Sequence, residues 1–221
     1  MKVYAVRIGN RYGPEYEDYL NEKLSKYEII WIREPFKSNI KLQWNKMLPM
    51  SQTSKEPVCV IDIDVILQGD YEELFDYPIK RGQFLGIQAW WKDHPNYTIN
   101  GGFFKYHPID CNYIFNKFMK DPEYWQRHYI QNGTTVGPVN GEQYFVEDSV
   151  REKLELITAP ASWVSRWSNG YNMTDFQITQ WHVKINQLYC DISGNEYLNL
   201  GGEFHPDIKM IHYTHAQNKP Y

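Results

Sequence analysis

The sequence predicts an α/β fold, a single domain with a mainly parallel central sheet flanked by helices. Three observations predict it. Short β-branched runs alternate with helical stretches through residues 1–62, the third such run (Val58-Cys59-Val60-Ile61) is apolar throughout, and no repeat or low-complexity linker divides the 221 residues. Strand–helix–strand alternation implies parallel strands joined by crossovers, and strands covered on both faces read as unbroken apolar runs.

Val3 to Ile8 (VYAVRI) has the pattern of a buried strand. Gly9-Asn10-Arg11-Tyr12-Gly13 is turn chemistry, and Pro14 suits the first position of a helix. Tyr16, Leu20 and Leu24 recur at helical spacing, which predicts an amphipathic helix over 14–26. Glu28 to Arg33 (EIIWIR) is the second strand. Ser38 is placed to cap a helix reaching about Leu48, where Pro49 would end it. Pro57 then precedes the third strand. In the second half, Gln83–Trp91 and Gly102–Tyr106 read as strands. Pro108 opens a helix through Met119, Pro122 opens another, and Gly141–Arg151 reads as a third. The stretch 160–200, rich in Trp, Asn, Gly and Tyr, reads as loops and short strands.

Composition narrows the function classes. A net charge of −4 with no basic block excludes a nucleic-acid footprint. No run of about 18 apolar residues exists to form a membrane span, and the N-terminus MKVYAVRIGNRYG has too short an apolar run for a signal peptide. Cys59, Cys111 and Cys190 lie far apart without a CxxC pair, against a disulfide framework or a structural zinc. These features predict a cytoplasmic chain. The 18 Tyr, 8 Trp and 10 Phe offer faces for nucleobases and sugar rings, although most aromatic residues fill cores.

The third strand turns acidic at Asp62-Ile63-Asp64. If the strand continues, both carboxylates face one side, at the carboxyl end where open α/β sheets bind ligands. Two carboxylates this close call for a positive partner. A hard divalent cation that bridges carboxylates to a phosphate is the natural one. Other readings of the same pattern are a strand end with solvated carboxylates and a haloacid-dehalogenase-type phosphatase with Asp62 as nucleophile.

More of the chain bears on the choice. Lys41-Leu42-Gln43-Trp44 precedes VCVIDIDVILQGDYEELFDYP; Asn100-Gly101-Gly102-Phe103-Phe104 and Gly141-Glu142-Gln143 follow; IHYTHAQNKPY ends the sequence. In this order the motifs, spread from about residue 41 to 221, resemble those of the GT-A glycosyltransferases of the glycogenin and galactosyltransferase (family 8-like) kind, including the branch that chloroviruses encode for capsid glycans. Departures are a His212-to-Lys219 spacing one residue longer than usual, His215 about where the family has Gly, and Glu142 where it has Asp.

The resemblance implies a GT-A fold and a set of roles. Asp64 is a direct metal ligand, Asp62 a partner to the metal or the ribose, and His212 completes a site for Mn²⁺, with Mg²⁺ the alternative. Lys219 pairs with the diphosphate, and Lys41 and Ile63 belong to the nucleotide site, though Lys41 also reads as an exposed helix lysine. Ile8, Asn10, Arg11 and Tyr12 receive the base. Asn100, Gly101, Gly102 and Gln143 surround the transferred sugar. Glu142 and Asp148 are the candidate bases of an inverting reaction, with Asp191 a remote third; a retaining one would leave that task to the departing phosphate. The plain reading of Glu142 is a carboxylate favoured at a helix N-terminus.

The implied reaction moves a hexose or deoxyhexose, glucose or rhamnose, from a UDP-sugar to a glycan acceptor in the cytoplasm (of the host cell if the protein is viral). The expected organisation is one GT-A domain over 1–221, its donor half about 1–105 and its acceptor half about 106–221. Because the Lys-Pro-Tyr motif occupies the last positions, the native polypeptide is expected to continue past Tyr221. Beside the phosphatase, the other rival is a carbohydrate-binding module using Trp90-Trp91 and Trp163–Trp167 without chemistry.

Overall fold

The computed structural model describes residues 1–89, 98–132, 141–166 and 208–212. In chain order the strands are β1 (Lys2–Val6), β2 (Glu28–Ile32), β3 (Val58–Ile61), β4 (Val65–Leu67), β5 (Gln83–Gln88), β6 (Ile99–Tyr106), β7 (Glu155–Thr158), β8 (Val164–Arg166) and β9 (Met210–His212). The α-helices are α1 (Pro14–Lys23), α2 (Glu72–Asp76), α3 (Pro108–Lys120), α4 (Pro122–Asn132) and α5 (Glu142–Lys153). The chain forms two compact units. One comprises Met1–Ile63, Pro78–Gly86 and Ile99–Ile157; the other comprises Asp64–Tyr77, Ile87–Thr98 and Thr158–Tyr221.

The first unit is built on a sheet of order β2-β1-β3-β6-β5-β7 among the described residues. β1 pairs in parallel with β2 (Val3 opposite Ile29) and with β3 (Val3 opposite Cys59), as the alternation predicts. β6 lies antiparallel to β3, with Val58 opposite Tyr106, so the sheet is mixed. All four residues of β3 and all eight of β6 are buried, which is why both read as apolar runs. Aromatic side chains fill the core beside them. Trp44 stacks on Phe118 at 5.4 Å between ring centroids and meets Phe145, while Phe84 stacks on Tyr106 at 5.3 Å.

One predicted helix is corrected. The structure has no helix capped by Ser38; a 3-10 segment, Leu42–Ser51, follows Lys41 and keeps Pro49 inside it. The side chain of Asn45 accounts for much of this: it accepts the Phe36 N–H and donates to the carbonyls of Ile40 and Leu42. Those groups are thereby taken out of an α-helical ladder. Leu42 sits at φ 27, a backbone region that L side chains seldom adopt. Other boundaries move by a few residues: α1 stops at Lys23 rather than 26, and β6 begins at Ile99, before the predicted Gly102. Most of 160–200 lies outside the described residues.

Just past the ends of β1 and β2, Arg7 and Arg33 converge on Glu17 of α1. Arg7 Nη1 lies 2.9 Å from Glu17 Oε1, and Arg33 Nη2 lies 2.6 Å from Oε2. Arg7 Nε also donates to the Tyr12 carbonyl at 2.9 Å, tying down the 9–13 loop. Burial alone would raise the Glu17 pKa, but hydrogen bonds from Arg33 and Arg7 outweigh it, and the carboxyl titrates below its ordinary value. A depressed carboxylate stabilises the fold above its unfolded pKa and loses that contribution as pH falls through the folded value. Glu17→Gln should therefore cost about 1–3 kcal/mol near pH 7. The difference from wild type should shrink as melts are taken from about pH 4.5 downward. A pH-independent difference would rule out ionic pairing as its cause.

Among the described residues, the second unit holds a three-stranded sheet of order β4-β9-β8. β4 runs antiparallel to β9, with Val65 opposite His212, and β8 runs parallel to β9. Lys209, next to β9, is buried; its Nζ lies 3.3 Å from Glu73 Oε2 of α2, and its N–H donates to the Trp163 carbonyl at 2.7 Å. No described helix is long and apolar enough to cross a membrane.

Candidate active site

β3 does not continue through the acidic pair. It stops at Ile61, the chain bends, and β4 begins at Val65 in the other sheet. The acidic pair therefore lies on a bend rather than along a continuing strand. The Asp62 N–H still donates to the Gly102 carbonyl at 2.9 Å, so Asp62 remains fastened to β6.

In the first unit Asp62 meets a residue the sequence reading missed. Lys46, in the 3-10 segment, is buried with its Nζ 2.5 Å from Asp62 Oδ1 and 3.3 Å from Glu142 Oε1; it also donates to the Gly101 carbonyl at 2.8 Å. An ammonium this deep needs opposite charge and hydrogen bonds around it, and here it has both. Glu142, at the start of α5, is itself buried. Burial pushes its carboxyl up, Lys46 pulls it down, and Asp62 pushes it up again, with a raised value the outcome. Lys41, the lysine chosen from sequence, is instead exposed, and its backbone N–H donates to the Gln126 side chain. The available signal was a lysine set among apolar residues (Trp44, Met47) just ahead of the buried strand.

In the second unit the β4–β9 pairing brings His212 to Asp64. His212 Nε2 lies 3.5 Å from Asp64 Oδ1, and both side chains are nearly covered. Only Ile63 separates Asp64 from Asp62. Asp64 and His212, both in the second unit, thus stand together as two possible ligands of one cation, and Asp62 comes two positions before Asp64 in the chain. Two carboxylate oxygens and an imidazole suit Mn²⁺ better than an all-oxygen preference such as that of Mg²⁺.

The other predicted residues separate by position. Asn100 accepts the Gly102 N–H at 2.7 Å, and Gln143 accepts the Gly101 N–H at 2.9 Å, so both hold the backbone next to Glu142. Asp148 faces elsewhere on α5, where it accepts the Tyr129 hydroxyl at 2.6 Å. Ile63 is buried; Ile8 and Tyr12 are half-buried, and Asn10 and Arg11 exposed, in the loop after β1. The Arg11 guanidinium lies 5.6 Å from the Tyr12 ring centre. Lys219, Asp191, Trp90, Trp91 and Trp167 lie outside the described residues.

No protein-family model matches the sequence, and no curated protein matches it. Solved structures do share its fold. The glycosyltransferase GlyE of Streptococcus pneumoniae superposes with a TM-score of 0.56 at 11% identity, over 100% of this chain and 56% of that one. The galactosyltransferase LgtC, in complex with donor and acceptor sugar analogs, gives 0.54 at 10% identity over 99% and 88%. A glycosyltransferase involved in glycosylation of the major capsid of PBCV-1 gives 0.52 at 12% identity over 99% and 96%. The chain has the GT-A fold. It spans about half the length of the GlyE chains it matches. The likenesses are of similar strength, so no single relative, viral or bacterial, is set apart. Within this GT-A chain, the acidic pair follows the carboxyl end of a parallel-paired strand, the ligand-binding end of open α/β sheets.

Proposed function

We propose that this chain is a metal-dependent glycosyltransferase that uses a nucleotide-diphosphate sugar, UDP-sugar by resemblance, and passes the sugar to a glycan. The observation that carries the reading is the approach of His212 to Asp64, the second carboxylate of the Asp62-Ile63-Asp64 motif, on a GT-A fold. The fold favours it over the phosphatase reading of Asp62. A bound divalent cation would neutralise charge on the departing diphosphate.

The chain's own residues do the rest. Asp64 and His212 would hold the cation, and Asp62, two residues before Asp64, is paired with Lys46. Lys46 keeps Asp62 and Glu142 at a fixed separation, and fixed geometry lowers the barrier to transfer. In the reaction the bond from the sugar's anomeric carbon to the phosphate oxygen breaks, and a bond to the acceptor hydroxyl oxygen forms. The acceptor's proton passes to Glu142 if configuration inverts, or to the leaving phosphate if it is retained. Glu142's raised pKa brings it nearer to working pH than an exposed carboxylate. The loop at Ile8, Asn10, Arg11 and Tyr12 receives the base, and UDP-glucose and UDP-rhamnose are the first donors to test.

EDTA should abolish hydrolysis of the right donor from a UDP-sugar panel, and Mn²⁺ should restore it better than Ca²⁺. Full activity in EDTA, with no metal found in the protein by elemental analysis, would overturn the metal assignment.

A further inference from the structure

Gly101 sits where β6 passes beneath the start of α5. A Cβ placed there would lie 2.7 Å from Glu142 Oε1 and 3.2 Å from Gln143 Cβ. The backbone does not ask for glycine, because Gly101 is absent from the positive-φ positions. The constraint is spatial: its sharpest part is the Glu142 carboxylate, with the Gln143 side chain closing in at 3.2 Å. That carboxylate is the far end of a flexible side chain, which would ordinarily swing away. Here it is buried and held by Lys46, which also grips the Gly101 carbonyl.

We propose that Gly101 and Glu142 act as one unit, in which the missing side chain at 101 makes room for the long carboxylate at 142 to reach Lys46. Gly101 is then a positioning residue: it sets where the Glu142 carboxylate stands beside the transferred sugar. This extension rests on the glycosyltransferase reading for its functional half and on packing alone for its structural half. A shorter carboxylate would withdraw from the space and leave it to a methyl group.

The test is a double-mutant cycle of Gly101→Ala, Glu142→Asp and the two together, read by thermal melting and by donor turnover. Alone, Gly101→Ala should lower the melting temperature on the order of 5 °C, since an added methyl in a filled site strains its neighbours. Its kcat should fall at least about tenfold, with donor KM changed far less, the mark of an interaction lost in the transition state. Adding Glu142→Asp should recover at least about half of the melting loss, because contacting residues are not additive. Losses that simply add would overturn the proposal, as would a Gly101→Ala protein with wild-type melting and turnover. Coupled melting with a wild-type protein that consumes no nucleotide sugar would uphold the pairing and remove the glycosyltransferase reading instead.

Discussion

Lys46→Met is expected to abolish donor turnover and to lower the melting temperature on the order of 10 °C. The change leaves Asp62 and Glu142 with no cation between them. Removing one partner from a buried ionic cluster costs about 3–5 kcal/mol; here the penalty falls on Glu142, which is buried, more than on Asp62, which is partly exposed. At this chain length, about 2–4 °C is lost per kcal/mol. Lys46→Arg should fare little better: a planar guanidinium is larger than an ammonium and does not fit a point-charge site. Glu142→Gln added to Lys46→Met should recover part of the melting loss without turnover, since it removes one of the uncompensated carboxylates. Calorimetric melts and a donor-hydrolysis assay read both effects. A Lys46→Met protein as stable as wild type would mean that the cluster does not exist in solution.

The second large effect is expected at Asp64. Asp64→Asn keeps the shape of the side chain but removes the charge that, with His212, would hold a cation. Substituting a residue that merely orients a metal ligand costs roughly 10–100-fold in affinity, and loss of a ligand's charge should cost at least as much. UDP–Mn²⁺ affinity should therefore drop at least about 100-fold, and turnover with it. Asp62→Asn separates metal binding from stability. It weakens the cation site less but also deprives Lys46 of a partner at 2.5 Å, so it should melt lower than Asp64→Asn. Titration calorimetry with Mn²⁺ and UDP, beside melting curves, reads the two quantities apart. Unchanged UDP–Mn²⁺ binding in Asp64→Asn would place the metal elsewhere.

The parallel half of the fold was legible because burial on both faces writes itself as an apolar run. Val58–Ile61 is one, and it sits where that pattern puts it. Asp62 and Asp64 were legible as a pair but not as a bend: periodicity assumed a straight strand, while pairing of Val65 with His212 draws the chain into another sheet. That partner is remote in sequence, so local pattern carries no trace of it. Lys46 was hidden for a related reason. A lysine is ordinarily exposed, and its contacts with Asp62, Gly101 and Glu142 reveal why this one is buried. The 3-10 segment escaped because Asn45 binds its neighbours' backbone, which competes with a helix without altering the apolar spacing.

Helix α5 receives two alternate backbone donors of β6. Glu147 accepts the Ile99 N–H at 3.0 Å and Gln143 accepts the Gly101 N–H at 2.9 Å. Glu147 is fully buried and is itself held by Arg151. Undocking α5 would therefore expose a carboxylate and an amide and also strip two amides from the strand beside them. Local opening follows such shared bonds, so the helix and the start of the strand form one cooperative unit. Glu142, at the first turn of that helix, is therefore expected to be uncovered together with the start of the strand rather than apart from it.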